Sequence, residues 1–208
     1  MIPQKNKVKN LLIDLGGVLY QIRIQETLDA YKALIPSHDH HPNDGTLFKH
    51  PLFKQLDQGK IEIDDLAEGL IEEWNLDVEK EEVKKIWLEL LVGLYPNRTA
   101  SIQELSKTYN IALLSNTSKY HFEHYRHECG PMFEAMDHLF FSFDIGLTKP
   151  DPMIYQMALE KMGWEASETM FLDDSQTNVQ AAKALGIQTV WIEKPEVFEE
   201  IAHTLIHP

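Results

Sequence analysis

Four short apolar runs punctuate a chain that otherwise follows helical spacing. They are Leu11-Leu12-Ile13, Ile111-Ala112-Leu113-Leu114, Thr169-Met170-Phe171-Leu172 and Thr189-Val190-Trp191-Ile192. Runs of this length, ended by polar or turn-forming residues, predict strands buried on both faces. Leu139-Phe140-Phe141-Ser142-Phe143 reads as a further strand. Helical patterns fall between them, at 101–108, 120–128, 152–162, 177–185 and 196–205. Pro152 suits a first helical turn, and Gly163 and Gly186 suit helix stops. Strands alternating with helices predict an α/β fold around a parallel sheet covered on both faces.

The segment 21–95 has a different texture. It lacks apolar strand runs, and its apolar residues recur at helix spacing: Leu66, Leu70, Ile71 and Trp74, then Val83, Ile86, Trp87, Leu90, Leu91 and Leu94. A polar loop spans 38–45. The expected organisation is a core made of residues 1–20 and 96–208, with 21–95 inserted as a helical unit. Such a unit stands over the carboxyl ends of the strands, where it can act as a lid.

Charge narrows the partners. Nineteen Lys and Arg against 33 Asp and Glu leave a formal charge of −14, which repels nucleic acid and anionic membranes. A small anionic substrate is not excluded, because it responds to a local field that a metal ion can invert. Cys129 is the only cysteine, so no internal disulfide forms and it reads as an ordinary thiol. Lys5, Lys7 and Lys9 before an apolar run imitate a signal peptide, but Asp14 breaks the run and no small-residue cleavage site follows. With no membrane span in the sequence either, a cytoplasmic location is expected.

Polar groups gather where the strands are expected to end. Asp14 closes the first run and precedes Gly16 and Gly17; Ser115 and Asn116 close the second; Asp173 and Asp174 close the third; Lys149 precedes Pro150. Open α/β sheets bind ligands outside the carboxyl ends of their strands. A nucleophile, carboxylates for a hard divalent cation, a cationic side chain and hydroxyl or amide donors are what phosphoryl transfer asks for.

This order and spacing resembles the haloacid dehalogenase superfamily, in its capped phosphatase branch with a helical (C1-type) insertion after the first motif. The likeness covers nearly the whole chain. It implies a Rossmann-like parallel core with an inserted α-helical cap, and a small phosphorylated metabolite as substrate. It implies that Asp14 is a covalent nucleophile, that Ser115 and the Asn116 backbone grip phosphate, and that Lys149 stabilises charge. It implies Mg²⁺ held by Asp14, the Gly16 carbonyl and Asp174, with Asp173 a ligand or anchor. Asn178 follows the acidic pair. The family usually carries a second aspartate two residues after the nucleophile as general acid; here that residue is Gly16. The Asp-Leu-Gly-Gly-Val form is similar to that of sugar-phosphate phosphatases of the glucose-1-phosphatase type.

Three rival readings share parts of the pattern. A 2-haloacid dehalogenase uses a similar aspartate without metal, and has little use for two adjacent carboxylates. A binding or regulatory protein that lost catalysis at Gly16 would show no Mg²⁺-dependent turnover. A phospho-receiver places its acidic pair early and its lysine late, the reverse of this chain. His121, His124 and His127 invite a zinc reading, but i and i+6 lie far apart around a helix. His38, His40 and His41 read as surface. Arg23, His50, Phe53 and Lys54 are the residues of the insertion expected to reach substrate. Oligomeric state and substrate identity stay open.

Overall fold

The computed structural model describes residues 7–36 and 50–207. Its strands are β1 (Asn10–Ile13), β2 (Tyr20–Ile22), β3 (Leu91–Leu94), β4 (Asn110–Ser115), β5 (His138–Phe141), β6 (Thr169–Asp173) and β7 (Gln188–Trp191). Its helices are α1 (Ile24–Leu34), α2 (Pro51–Asp57), α3 (Ile63–Glu73), α4 (Lys80–Leu88), α5 (Arg98–Leu105), α6 (Lys119–Phe133), α7 (Ser142–Ile145), α8 (Pro152–Met162), α9 (Gln176–Ala184) and α10 (Pro195–Ile206). Five strands form one sheet in the order β5-β4-β1-β6-β7, with every pairing parallel.

The sheet is apolar on both faces because helices cover both, which is why its strands read as continuous runs rather than alternating ones. Successive side chains of β1 point to opposite sides. Leu11 and Ile13 pack with Ile102, Tyr125 and Phe198 from α5, α6 and α10. Leu12 packs with Ile154, Tyr155 and Ala182 from α8 and α9.

Helices α1 to α4 gather around their own cluster, which includes Leu28, Tyr31, Phe53, Leu66, Leu70, Val83 and Trp87. This cluster meets α6, where the Trp87 and His121 rings stack with centroids 4.7 Å apart.

Two expectations are corrected. The helical spacing through 83–94 does not persist: α4 stops at Leu88, and Leu91–Leu94 forms β3, antiparallel to β2. The spacing of Leu90, Leu91 and Leu94 mimics a helix face, but Gly93 breaks it with φ +152° and the chain pairs with its own entry strand. The run 139–143 likewise splits, β5 ending at Phe141 and α7 starting at Ser142. The buried Ser142 hydroxyl accepts from the Thr117 amide at 2.9 Å and donates to the Thr117 carbonyl at 3.0 Å, so this polar group is satisfied by the neighbouring strand end. The polar loop 38–45, with His38, His40 and His41, lies outside the described residues. Among the described residues, no helix is long and apolar enough to cross a membrane.

Candidate active site

Strand order places the chemistry. β1 is central, and its neighbours β4 and β6 lie on opposite sides. Ile13 is level with Leu113 on one side and Leu172 on the other. One residue further along, Asp14 is therefore flanked by the ends of β4 and β6, which deliver Ser115 and Asp173. Such a switch in strand order opens a crevice at the carboxyl edge of the sheet.

The loop after β1 is tightly wound. The Leu19 and Tyr20 amides both donate to the Leu15 carbonyl at 2.8 Å, and Gly17 donates to the Tyr20 carbonyl at 2.9 Å. These bonds leave the Gly16 carbonyl uninvolved. Gly17 has φ +72°, and a Cβ there would lie 2.3 Å from Asp174 Oδ2. Only glycine lets the β1 loop and Asp174 approach so closely. From below, fully buried Arg98 holds the loop, its Nε donating to the Val18 carbonyl at 3.0 Å.

Lys149 ties the strands together. Its ammonium lies 2.7 Å from Asp14 Oδ1 and 2.7 Å from Asp173 Oδ2. The Asn116 side chain fixes the loop that carries it, donating to the Lys149 carbonyl and accepting from the Lys149 amide, both at 2.9 Å. Asp173 is completely buried, and its Oδ1 accepts from the Ser175 amide at 2.8 Å and Asn178 Nδ2 at 3.0 Å. Asp14 Oδ1 also accepts from the Leu15 amide at 2.8 Å, while Oδ2 has no hydrogen-bond partner among the described residues. The same is true of the Ser115 hydroxyl.

Three carboxylates share this edge with one ammonium. Ligand oxygens of Asp14, Asp173 and Asp174 lie within 4.8 Å of one another. Burial raises the Asp14 carboxyl well above the usual carboxylate range; Lys149 opposes this, and repulsion from Asp173 and Asp174 adds to it. Burial, and then repulsion from Asp173, pushes Asp174 up to about 6. Burial alone would depress the Lys149 ammonium, but the carboxylates outweigh it and its pKa is raised. A cluster so short of positive charge, built from hard oxygen donors, fits Mg²⁺.

Cavities open beside this edge. One of about 560 Å³ is lined by Lys54 and Asp57 of α2 and by Asn116, Thr148, Lys149 and Asp151 of the sheet-bearing part. A tighter one, about 70 Å³, is lined by Leu15, Gly16, Tyr20, Ile22, Leu91, Ser115, Asn116 and Tyr125. Asn116 and the strand ends thus stand between a polar and an apolar recess.

Residues 8–186 match the haloacid dehalogenase-like hydrolase family. The chain belongs to that family. Haloacid dehalogenase-like relatives that match over most of its length include D-ribitol-5-phosphate phosphatase of Bacteroides thetaiotaomicron, 28% identical across 88% of this chain and 90% of that one. A sesquiterpene phosphatase of Aspergillus oryzae is 29% identical across 86% and 87%. Among solved structures, the haloacid dehalogenase family enzyme BT-2542 of Bacteroides thetaiotaomicron, in complex with magnesium and inorganic phosphate, superposes with a TM-score of 0.73. It is 26% identical and covers 88% of this chain and 93% of that one. The protein is therefore a haloacid dehalogenase-like hydrolase with phosphatase relatives.

The structure brings Asp14, Gly16, Ser115, Asn116, Lys149, Asp173 and Asp174 to one edge. It does not bring His50 there. His50 caps α2, its Nδ1 accepting from the Leu52 amide at 3.3 Å while Nε2 meets Glu73 at 2.9 Å, and it lines a separate cavity with Leu52, Gly69 and Glu72. Phe53 is buried inside the helical cluster, 4.8 Å from Trp87 between ring centroids. Arg23 is exposed at the head of α1 and lines neither cavity beside Asp14. Of the insertion's candidates, only Lys54 reaches the site. The histidines of α6 diverge: His121 is buried against Trp87, whereas His124 and His127 are exposed. Burial of Cys129 pushes its thiol up to about 12, so it is no nucleophile.

Sequence reasoning missed Asp57 and Arg98, and the close approach of Gly17 to Asp174. Asp57 sits in an ordinary helical pattern and carries no local signal. Arg98 looks like any solvent-facing arginine until α10 closes over it, Phe198 lying 4.5 Å beneath its guanidinium. Gly17 was visible, but its close neighbour lies far along the chain.

Proposed function

We propose that the protein is a Mg²⁺-dependent phosphomonoesterase acting on a small phosphorylated metabolite such as a sugar or polyol phosphate. The observation that carries this is Lys149, held 2.7 Å from Asp14 Oδ1 while Asp14 Oδ2 has no hydrogen-bond partner among the described residues. A buried carboxylate with one oxygen braced and the other free is poised to attack phosphorus. The relatives' phosphatase activity and the magnesium–phosphate complex of BT-2542 support the same reading.

In this proposal Asp14 Oδ2 attacks the phosphoryl group, the alcohol departs, and water then hydrolyses the aspartyl-phosphate. Lys149 offsets charge on Asp14 and on the phosphoryl oxygens. Ser115 and the Asn116 backbone donate to a phosphoryl oxygen. Asp14, the Gly16 carbonyl and Asp174 would hold Mg²⁺, which when bound neutralises phosphate charge. Asp173 keeps Lys149 in place. Residues 21–95 act as a cap over residues 1–20 and 96–208, with Lys54 on the side facing substrate. A 2-haloacid dehalogenase reading gains nothing from Asp174, whose carboxylate pairs with no other side chain among the described residues.

The test is hydrolysis of p-nitrophenyl phosphate and of a panel of sugar and polyol phosphates, with Mg²⁺ and with chelator. Turnover should require Mg²⁺, and Asp14→Asn should lower it by at least about 10³-fold while the protein stays folded. Near wild-type turnover by Asp14→Asn would overturn the assignment.

A further inference from the structure

We propose that Asp57, from the helical insertion, is the general acid and base that the β1 loop lacks at Gly16. This rests on the phosphatase reading above and names the proton donor in it.

Placement comes first. Asp57 is the last residue of α2 and lines the 560 Å³ cavity together with Lys149 and Asn116. The turn after it is fixed: Gly59 has φ +64°, and a Cβ there would lie 2.2 Å from the Phe143 carbonyl of α7. The end of α2 is thereby pressed against the sheet-bearing part of the chain beside the crevice, which sets the position of Asp57 over it.

Chemistry comes next. No described residue hydrogen-bonds or ion-pairs with the Asp57 carboxyl. A carboxylate at a helix C-terminus also meets the negative end of the helix dipole. An acid placed at a local cost, without a partner among the described residues, and lining a cavity beside a nucleophile fits a functional role better than a structural one. Groups facing that cavity are Lys54 on its own helix and Lys149 and Asp151 across it; Tyr125 of α6 lines the neighbouring recess, its phenol within electrostatic reach of both Asp57 and Asp14. Burial outweighs them and pushes Asp57 up to about 7, so near neutrality it is part acid and part base.

The step balances. As Asp14 Oδ2 forms its bond to phosphorus, the bond from phosphorus to the ester oxygen breaks. The Asp57 carboxylic acid gives its proton to that oxygen, so the product leaves as a neutral alcohol. The resulting Asp57 carboxylate then takes a proton from the water that attacks the aspartyl-phosphate. Asp14 and inorganic phosphate are released, and Asp57 is protonated again.

The experiment compares a polyol phosphate with p-nitrophenyl phosphate, whose leaving group needs little protonation. A general acid contributes about 10²–10⁴-fold. Asp57→Asn, which breaks no hydrogen bond among the described residues, should therefore lower kcat/KM, which reports P–O cleavage and not the later attack of water common to both esters, by about 10²-fold or more on the alkyl ester and by less than about tenfold on the aryl ester. Wild-type kcat/KM on the alkyl ester should fall as pH rises through about 7, and this limb should vanish in the variant. Gly16→Asp in the Asp57→Asn background should recover alkyl-ester turnover. Gly16 has no positive φ, and its added Cβ would meet only the Ile22 side chain, at 3.3 Å. Equal losses of kcat/KM on both esters, or no loss on either, would overturn the role of Asp57 and leave the phosphatase reading standing. Absence of wild-type turnover on both esters would overturn the phosphatase reading itself, and this proposal with it.

Discussion

Asn116 and Lys149 exchange two hydrogen bonds of 2.9 Å, one in each direction, between a side-chain amide and a backbone peptide. The end of β4 thus sets where the ammonium of a distant loop stands. Asn116→Ala removes both bonds and frees that loop. A displacement of about an ångström at a reacting centre can cost about 10²-fold. We expect kcat to fall by about 10–10²-fold, with a stability loss of roughly 1–3 kcal/mol. Asn116→Asp keeps the acceptor and should lose less. Steady-state kinetics and denaturant melts on the two variants check both statements.

The two adjacent aspartates should fail differently. Asp174 is partly exposed and pairs with no other side chain among the described residues, so Asp174→Ala should raise the Mg²⁺ concentration needed for half-maximal turnover and leave the melting temperature close to wild type. Asp173 is fully buried and engages Lys149, Ser175 and Asn178. Breaking a buried ion pair on one side costs roughly 3–5 kcal/mol, so Asp173→Ala should first appear as lost stability. Matching Mg²⁺ titrations for wild type and Asp174→Ala would refute the metal assignment.

Within the insertion, Lys54 and His50 should separate specificity from stability. Lys54→Ala should raise KM for substrates with a second negative charge more than for neutral-bodied ones. His50→Ala removes a helix cap worth about 1 kcal/mol and should lower the melting temperature without altering the ranking of substrates. A substrate panel alongside thermal melts distinguishes the two.

His121 makes the fold acid-sensitive. Its Nε2–H donates to the Trp87 carbonyl at 2.8 Å, and burial lowers its pKa to about 4. The folded-state value lies below that of the unfolded chain, so falling pH protonates the unfolded chain first. Stability is full above about 6.5 and declines as pH drops toward 4, by roughly 3 kcal/mol at the limit. His121→Gln should flatten that part of the stability profile measured by denaturant unfolding.

Much of the core was legible because burial on both faces writes itself as uninterrupted apolar runs, as in Leu11-Leu12-Ile13 and Thr169 to Leu172. The acidic and basic groups at the strand ends were legible for a related reason: each directly follows a run or stands beside a proline. β2 and β3 were not. A short run such as Leu90, Leu91 and Leu94 suits either period, and only pairing with Tyr20–Ile22 decides between them; Gly93 was the available hint. Of the insertion's contribution to the site, only Lys54 was legible. Asp57 and His50 both follow helical spacing, and nothing local says that one faces Lys149 while the other caps its own helix.

The pairing of Tyr20 with Leu94 and Ile22 with Leu91 has a topological consequence. The chain departs for the helices and returns along neighbouring tracks about 5 Å apart. To the five-stranded sheet, the whole excursion is equivalent to a single hairpin turn. Closing a longer or shorter excursion costs only a logarithm of its length, and the ladder fixes its ends whatever lies between them. The helices can therefore be exchanged, enlarged or trimmed without shifting the register of any strand that carries Asp14, Ser115 or Asp173. Only residues that reach back across the ribbon, as Lys54 and Asp57 do, link the content of the excursion to the chemistry below it.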